Sequence, residues 1–225
     1  MPHPLDNPVW HTLTGAHARF ATGTDTARRY ARGFSPILGF ADNTHPDLAA
    51  LLPCCDAGEH FYTAGWSGVV PAGWVLDEAS TMYRMVWAGD APADADTSFV
   101  VPLGPQHAPQ ALALAEQTAP GPFGLRTIEL GDYFGVFEGE RLVAMAGERM
   151  RAGAFCEISG VCTHPDYQGR GLARALMLTL IGRHLARGDT PFLHVMSANR
   201  IAHDMYLRMG FRDYAEPVVR VISRL

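Results

Sequence analysis

The chain has 225 residues, of which 48% are apolar and 18% are charged, a balance typical of a globular protein that buries a sizeable core. The formal net charge of −5 weighs against a nucleic-acid partner, and the absence of an apolar run of about 18 residues predicts no membrane-spanning helix. The N-terminus has neither a basic start nor an apolar stretch, and the chain has four cysteines, so we expect a cytoplasmic protein with reduced thiols.

The first part of the chain carries weak signals of secondary structure. Residues 25–34, DTARRYARGF, are compatible with a helix, whereas HFYTAGW (60–66) and TMYRMVWAG (81–89) favour strands because aromatic and β-branched residues cluster there. Residues 87–105 are small, acidic and proline-bearing, as a linker is. We therefore place a boundary near residue 97, between an N-terminal region of residues 1–97 and a second domain of residues 98–225.

The second part begins with clearer signals. PQHAPQALALAEQT (105–118) predicts a helix, and DYFGVFEGERLVAMAGERM (132–150) predicts two strands joined by a turn at Glu138–Arg141. AFCEISGVCTHP (154–165) predicts another strand with Gly160 inside it, and a glycine in that position often marks a bulge.

The remaining elements alternate between helix and strand. An almost wholly apolar helix is predicted from Leu172 to about Arg187, with Gly188 as its stop. PFLHVM (191–196) predicts a strand, NRIAHDMYLRMG (199–210) a short helix, and residues 211–225 one or two closing strands. This order favours an α/β (α+β) fold with a mixed central sheet flanked by helices, beside a smaller N-terminal α/β region.

The stretch between the 154–165 strand and the following helix, HPDYQGRGLARALM (164–177), has the design of an anion site. Its glycines let consecutive backbone N–H groups face one concavity, and the helix start adds its unpaired N–H groups. A Walker A loop is excluded because the chain has no lysine. A dinucleotide fingerprint is disfavoured, because Arg174 stands where Gly or Ala belongs and too little chain follows. The coenzyme A pyrophosphate pattern Gln/Arg-x-x-Gly-x-Gly/Ala fits residues 168–173 at every defined position.

Two motifs in this order resemble the GNAT superfamily of acyl-CoA-dependent N-acyltransferases. VCTHPDYQGRGLARAL resembles its strand–loop–helix signature, and NRIAHDMYLRMGF resembles its next block, Asn-x-x-Ala-x-x-x-Tyr-x-x-x-Gly-Phe. The resemblance covers roughly residues 98–225 and leaves residues 1–97 open. It implies the splayed GNAT sheet, acetyl-CoA as co-substrate and no metal.

The resemblance also implies which residues hold the cofactor. The loop would wrap the pyrophosphate, the strand next to Gly160 would pair with the pantetheine arm, and the block after residue 198 would reach the same arm. The implied cofactor-binding residues are Val161, Cys162, Gln168, Gly169, Arg170, Gly171, Leu172, Ala173, Asn199, Ala202 and Tyr206.

Two residues are the candidates for catalysis. Tyr206 resembles the family tyrosine that lies near the coenzyme sulfur, and we expect it to donate a hydrogen bond to the departing sulfur. Glu157 lies eleven residues before Gln168, as the base glutamate of the histone-acetylating branch does. The alternatives are a half-buried helix tyrosine and a strand glutamate that faces solvent or pairs with an arginine.

Other residue types that carry chemistry receive weaker predictions. His203 shares a helix face with Tyr206 and is an alternative base, while His164 is the histidine next to the loop. CCDAGEH (54–60) places its ligands too close together for an ordinary zinc site. Cys162 has no evident base beside it and reads as a buried cysteine rather than a nucleophile.

The sequence therefore predicts an N-acetyltransferase that moves an acetyl group from acetyl-CoA to a primary amine of a small molecule or peptide by direct attack. The alternatives are a non-catalytic acyl-CoA sensor and an enzyme of the same fold that uses a longer acyl-CoA. Residues 1–97 either shape the acceptor pocket as a truncated GNAT-like half or mediate homodimerisation. Their acidic balance suits a cationic amine acceptor.

Overall fold

The computed structural model of the protein describes residues 3–92 and 96–225, which form two β-sheets and four α-helices. The helices are α1 (Pro8–Thr14), α2 (Ala108–Thr118), α3 (Leu172–Ala186) and α4 (Arg200–Met209). The strands are β1 (Ala21–Gly23), β2 (Ala27–Tyr30), β3 (Leu38–Phe40), β4 (His60–Ala64), β5 (Trp74–Trp87), β6 (Val101–Pro102), β7 (Tyr133–Glu138), β8 (Arg141–Ala152), β9 (Phe155–Thr163), β10 (Thr190–Met196), β11 (Phe211–Ala215) and β12 (Val218–Arg224).

The large sheet has the strand order β4-β12-β5-β10-β9-β8-β7-β6, with β11 also paired to β5. Strands β9 and β10 are parallel, and the other neighbouring pairs are antiparallel. This mixed sheet with flanking helices confirms the predicted fold class. The small sheet, β1-β2-β3, belongs to the N-terminal region.

The large sheet is packed on both faces because its strands alternate their side chains. On β10, Leu193 lies in the main core with α3 and α4, whereas Phe192 packs with Leu5 and Met150 on the other face. The helix α1 packs against β8, and α2 packs against β8 and β9. Among the described residues, no helix is both long and apolar enough to cross a membrane.

Sequence and structure agree closely in the second half of the chain. The predicted helices and strands after residue 105 all form, the turn at residues 139–140 joins β7 to β8, and Gly188 and Gly210 end α3 and α4 with positive φ. The register between β8 and β9 shifts around Gly160, which has a φ of 63°, so the predicted bulge is confirmed.

The helix predicted over residues 25–34 is wrong. Ala27–Tyr30 is strand β2, and Ala27, Arg29 and Tyr30 are buried. Arg29 is accommodated there because its guanidinium pairs with Glu59 at 2.7 Å and lies over the Phe61 ring. A buried ion pair with a residue 30 positions away overrides the local helical preference.

The linker predicted over residues 87–105 contains the end of β5 and the short strand β6, while residues 93–95 lie outside the described part. Strand β5 lies between β12 and β10 and also pairs with β11. Residues 1–97 thus contribute two strands to the sheet that the C-terminal residues complete. The boundary near residue 97 stays a prediction about where the chain divides.

Candidate active site

A cavity of about 370 Å³ opens where β9 and β10 separate. The pairing of the two strands ends at Ile158 and Leu193, whereas β10 continues along β5 as far as Met196. The bulge at Gly160 turns β9 away at this point. The result is a gap in the sheet whose walls include unpaired strand edge, which an amide-bearing ligand can use for hydrogen bonds.

Residues from both faces of the sheet line this cavity. Helix α4 contributes Ala202 and Tyr206 on the α3 side, and the opposite side contributes Arg84, Arg149 and His194. A molecule threaded through the gap could therefore meet a second one that arrives from the other face.

Tyr206 places its ring in the main core and its hydroxyl at the cavity. The residue is 7% exposed and packs edge-on against Phe211, with ring centroids 6.0 Å apart. Its hydroxyl makes no hydrogen bond within the described residues and is not among their fully buried unpartnered atoms, so it keeps accessible surface in a residue that lines the cavity. Burial raises the pKa of Tyr206 to about 12, so the phenol keeps its proton at neutral pH and can donate a hydrogen bond.

Asn199 occupies the start of α4, where its side chain accepts a hydrogen bond from the N–H of Ala202 at 3.1 Å. This is the N-cap role that asparagine serves well. Asn199 also lines the cavity, so its amide nitrogen can still meet a ligand.

The glycine loop lies at the start of α3, on the surface and outside the cavity lining. Gly169 and Gly171 have φ values of 76° and 77°, which favour glycine. No side chain caps α3, and the backbone N–H groups of residues 169–174 have no hydrogen-bond partner in the described part of the chain. The Arg170 guanidinium lies over the Tyr167 ring instead of over the loop. Unpaired N–H groups at the start of a helix attract anions, so this loop suits a phosphate.

Glu157 is fully buried beneath the cavity and holds two partners. Arg149 donates to both carboxylate oxygens, at 2.9 and 2.7 Å, and His194 Nδ1 lies 2.7 Å from Oε1. Burial opposes ionisation, but the charge of Arg149 and the His194 hydrogen bond outweigh it and lower the pKa of Glu157 to about 2. The carboxylate is thus ionised, already paired and a very weak base, as in the arginine-paired alternative.

Arg84, on β5, completes this buried network and had no signal in the sequence beyond a charged residue inside an apolar strand. Its Nε donates to His194 Nε2 at 3.0 Å, and its Nη1 donates to the carbonyl oxygen of Leu5. His194 is therefore bonded on both ring nitrogens, and burial lowers its pKa. Arg84, His194, Glu157 and Arg149 form one chain of hydrogen bonds at the bottom of the gap.

The other predicted residues lie in different surroundings. Val161 lines the cavity, whereas Cys162 packs in the cluster around α2, where burial raises the pKa of its thiol to about 11. His164 accepts a hydrogen bond from the N–H of Asp166 and bonds Gln117 and Arg141. His203 bonds Asp213 and stacks on Tyr83, away from the cavity lining.

A second buried cluster lies on the α3 face, where ligand-type atoms of Glu148, Cys156 and His184 come within 4.8 Å of one another. Glu148 accepts hydrogen bonds from His184 and Arg187, and Arg151 contacts the sulfur of Cys156. The adjoining guanidiniums compete with a cation for these groups, so the arrangement is that of a buried ion-pair network.

The N-terminal region supplies one wall of the cavity. This wall combines apolar side chains with polar and charged ones, and it includes Arg84. The lining residues from this region are Val9, Ile37, Tyr62, Thr63, Ala64, Glu78, Ser80, Met82 and Arg84.

Two comparisons with known proteins find relatives of the chain. A protein-family model described as FR47-like protein matches residues 133–221. A search of curated proteins finds no match.

Among solved structures, a candidate acetyltransferase from the GNAT family of Novosphingobium aromaticivorans DSM 12444 is 32% identical, with a TM-score of 0.89 and full coverage of both chains. A GCN5-related N-acetyltransferase from Kribbella flavida (15% identity, TM-score 0.58) covers 92% of this chain and 90% of its own. A GCN5-related N-acetyltransferase-like protein from Streptococcus suis 89/1591 (15% identity, TM-score 0.58) covers 97% and 94%. The last two share the fold. The identity and full coverage of the first show that the chain belongs to the GNAT family of acetyltransferases.

Proposed function

We propose that the protein is an N-acetyltransferase that transfers an acetyl group from acetyl-CoA to a primary amine. The observation that carries this proposal is the gap between β9 and β10, which has the Tyr206 hydroxyl on one side and a polar pocket on the other. The glycine loop at residues 168–173 would hold the pyrophosphate, and the edge of β9 at Val161 would pair with the pantetheine arm. Asn199 and Ala202 would flank the same arm.

The reaction needs no covalent enzyme intermediate. The neutral amine nitrogen attacks the thioester carbonyl carbon, and the oxygen that gains charge accepts a hydrogen bond from a backbone N–H of Val161 or Cys162. The C–S bond then breaks, and the electron pair stays on sulfur, which accepts a hydrogen bond from Tyr206. The amine proton leaves to water.

The role of Tyr206 is limited to hydrogen-bond donation by energetics. With a phenol pKa of about 12 and a thiol pKa of about 8.5, complete proton transfer to the thiolate is uphill by about 5 kcal/mol. A donated hydrogen bond stabilises the developing thiolate without that cost.

Glu157 remains a candidate catalytic residue, but its contacts favour a role in positioning other side chains over a role as the base. A carboxylate that already binds Arg149 and His194 serves the reaction best by holding those two side chains in place. Removal of the amine proton then falls to water in the cavity.

Two measurements test the proposal. Isothermal titration should show acetyl-CoA binding, and a free-thiol assay over amino acids, polyamines, aminoglycosides and peptides should show CoA release with at least one amine. Binding without CoA release across the panel would favour the acyl-CoA sensor, and absence of binding at millimolar cofactor would overturn both functions. Longer acyl-CoAs in the same assay establish the chain length.

A further inference from the structure

The bottom of the gap is more positive than its surroundings. Glu157 neutralises Arg149, with which it makes a two-bond pair. Arg84 bonds only a histidine and a backbone carbonyl, so its charge has no carboxylate partner among the described residues. Arg84 is 5% exposed and Arg149 is 8% exposed, and arginine keeps its proton when buried.

Each guanidinium also keeps one nitrogen for a ligand. Nη2 of Arg84 and Nη1 of Arg149 make no hydrogen bond within residues 3–92 and 96–225, and both residues line the cavity. Neither nitrogen is among the described side-chain atoms that are both fully buried and without a partner, so each one keeps accessible surface in a residue that lines the cavity and can donate to a ligand there. Guanidinium groups match planar or tetrahedral oxyanions in geometry and charge.

Nearby acidic groups leave this charge in place. Asp6, whose charge reaches Arg84, lies at the surface and binds Tyr214 and the N–H of His3. Glu78 also lines the cavity, and its side chain is exposed. It lies on the same face of β5 as Arg84, six residues before it. The cavity is therefore negative at Glu78 and positive at Arg84.

We propose that the acceptor is an amine that also carries an anionic group, a carboxylate or a phosphate, which Arg84 and Arg149 bind. This inference rests on the proposed function and specifies its acceptor. It replaces the expectation of a purely cationic amine, because the charges that line the cavity matter more to a bound acceptor than the acidic total of residues 1–97.

Binding of the anionic group to the two guanidiniums would also bring the amine closer to its reactive state, because the guanidiniums cancel the negative charge that otherwise stabilises the ammonium form. Positive charge near an ammonium group lowers its pKa, so a larger fraction of the acceptor is neutral at a given pH. This effect requires no protein base at the amine.

The test compares matched amines in the CoA-release assay. The panel contains amino acids, their amides, the corresponding decarboxylated amines, and phosphoethanolamine beside ethanolamine. We expect kcat/KM to be about 10- to 100-fold higher for the anionic member of a pair, as the loss of a hydrogen bond to a charged group implies. The pair of amines with the larger difference in kcat/KM shows whether the two guanidiniums prefer a carboxylate or a phosphate.

Arg84→Gln keeps a donor for His194 and should remove this preference by raising KM for the anionic member only. Equal kcat/KM within every pair would overturn the inference and leave the proposed function standing. No CoA release from any amine would overturn the proposed function itself. If Arg84→Gln fails to fold, selectivity of the unaltered protein within the pairs still decides the matter.

Discussion

At the scale of single residues, Tyr206 tests the proposed chemistry most directly. Tyr206→Phe removes the hydroxyl at the cavity and keeps the ring that packs on Phe211. We expect kcat to fall about 100-fold, at the lower end of the range for general acid catalysis, while the Kd for acetyl-CoA changes little. Steady-state kinetics and titration measure the two quantities.

The matched control is Tyr83→Phe, because Tyr83 stacks on His203 and does not line the cavity. Its kcat should equal that of the unaltered protein. Unchanged turnover in Tyr206→Phe would remove the tyrosine from the mechanism.

Glu157 tests whether a buried carboxylate serves structure or proton transfer. Glu157→Gln leaves the Arg149 guanidinium buried without its counter-charge, so we expect the free energy of unfolding to fall by about 3–5 kcal/mol. Urea denaturation measures this change. The double variant Glu157→Gln/Arg149→Met should recover part of it, because the unpaired charge is then absent. A Glu157→Gln protein of unaltered stability without turnover would instead support the base role.

The same carboxylate predicts how stability depends on pH. The folded-state pKa of Glu157, about 2, lies below the unfolded value of about 4.3, and the pKa of buried Glu148 is also lowered to about 2 despite its burial, by bonds to His184 and Arg187. Their contribution is fully present above the unfolded pKa and is lost as pH falls through the folded pKa. We expect the free energy of unfolding to decrease between about pH 5 and pH 2. In the double variant Glu157→Gln/Glu148→Gln, the free energy of unfolding should vary less over this pH range than in the unaltered protein. The same pH dependence in both proteins would show that the two carboxylates are not its cause.

At the scale of elements, the glycine loop and the helix α3 that follows it each contain a glycine, and replacing the two by alanine has opposite expected effects. Gly171 precedes α3 with a φ of 77°, and Gly182 lies inside α3 without a positive φ; a Cβ meets nothing within 4 Å at either position. Gly171→Ala should weaken acetyl-CoA binding about tenfold, because alanine disfavours the left-handed conformation by about 1–2 kcal/mol and the N–H groups lose their arrangement.

Gly182→Ala is the control, and it should raise the free energy of unfolding by about 1 kcal/mol because alanine is the better helix former. Titration calorimetry and thermal unfolding separate the two effects. Equal cofactor affinity in Gly171→Ala and the unaltered protein would exclude the loop as the pyrophosphate site.

The elements of the second half could be predicted because each carries its own local signal. The apolar run from Leu172 and the left-handed glycines at its ends define α3, and the strand-interior glycine defines the bulge. The β2 strand could not be predicted, since its arginine is stabilised by Glu59, a residue distant in sequence.

The residues of the candidate site also fall into two groups, those that local sequence patterns predict and those that only the paired strands bring together. The residues of the two motifs could be predicted because their spacing is local, and Val161, Asn199, Ala202 and Tyr206 do line one cavity. Arg84 reaches that cavity only because β5 pairs with β10, a contact between residues about 110 positions apart. No local pattern reveals such a pairing.

At the scale of the whole molecule, the sheet depends on a strand from each side of residue 97. The central position of β5 gives β10, β11 and β12 their partner. Met85 and Trp87 of β5 lie in the main core, 0% and 8% exposed, with Phe211 and residues of α3. One wall of the cavity and two large side chains of the main core, Met85 and Trp87, therefore come from the region before the predicted boundary.

This arrangement predicts that residues 98–225 do not fold alone, whereas two separate chains can. Without β5, residues 98–225 would expose the edges of β10 and β12 and the surface that Met85 and Trp87 cover, so we expect aggregation. Residues 1–94 and 95–225, expressed together with a tag on one chain, should copurify, because the paired strands and the shared core need no peptide link at residue 94. Copurification and CoA release measure the outcome. A soluble chain of residues 98–225 with cooperative unfolding and full turnover would contradict the prediction and show that the N-terminal wall serves neither the core nor the acceptor.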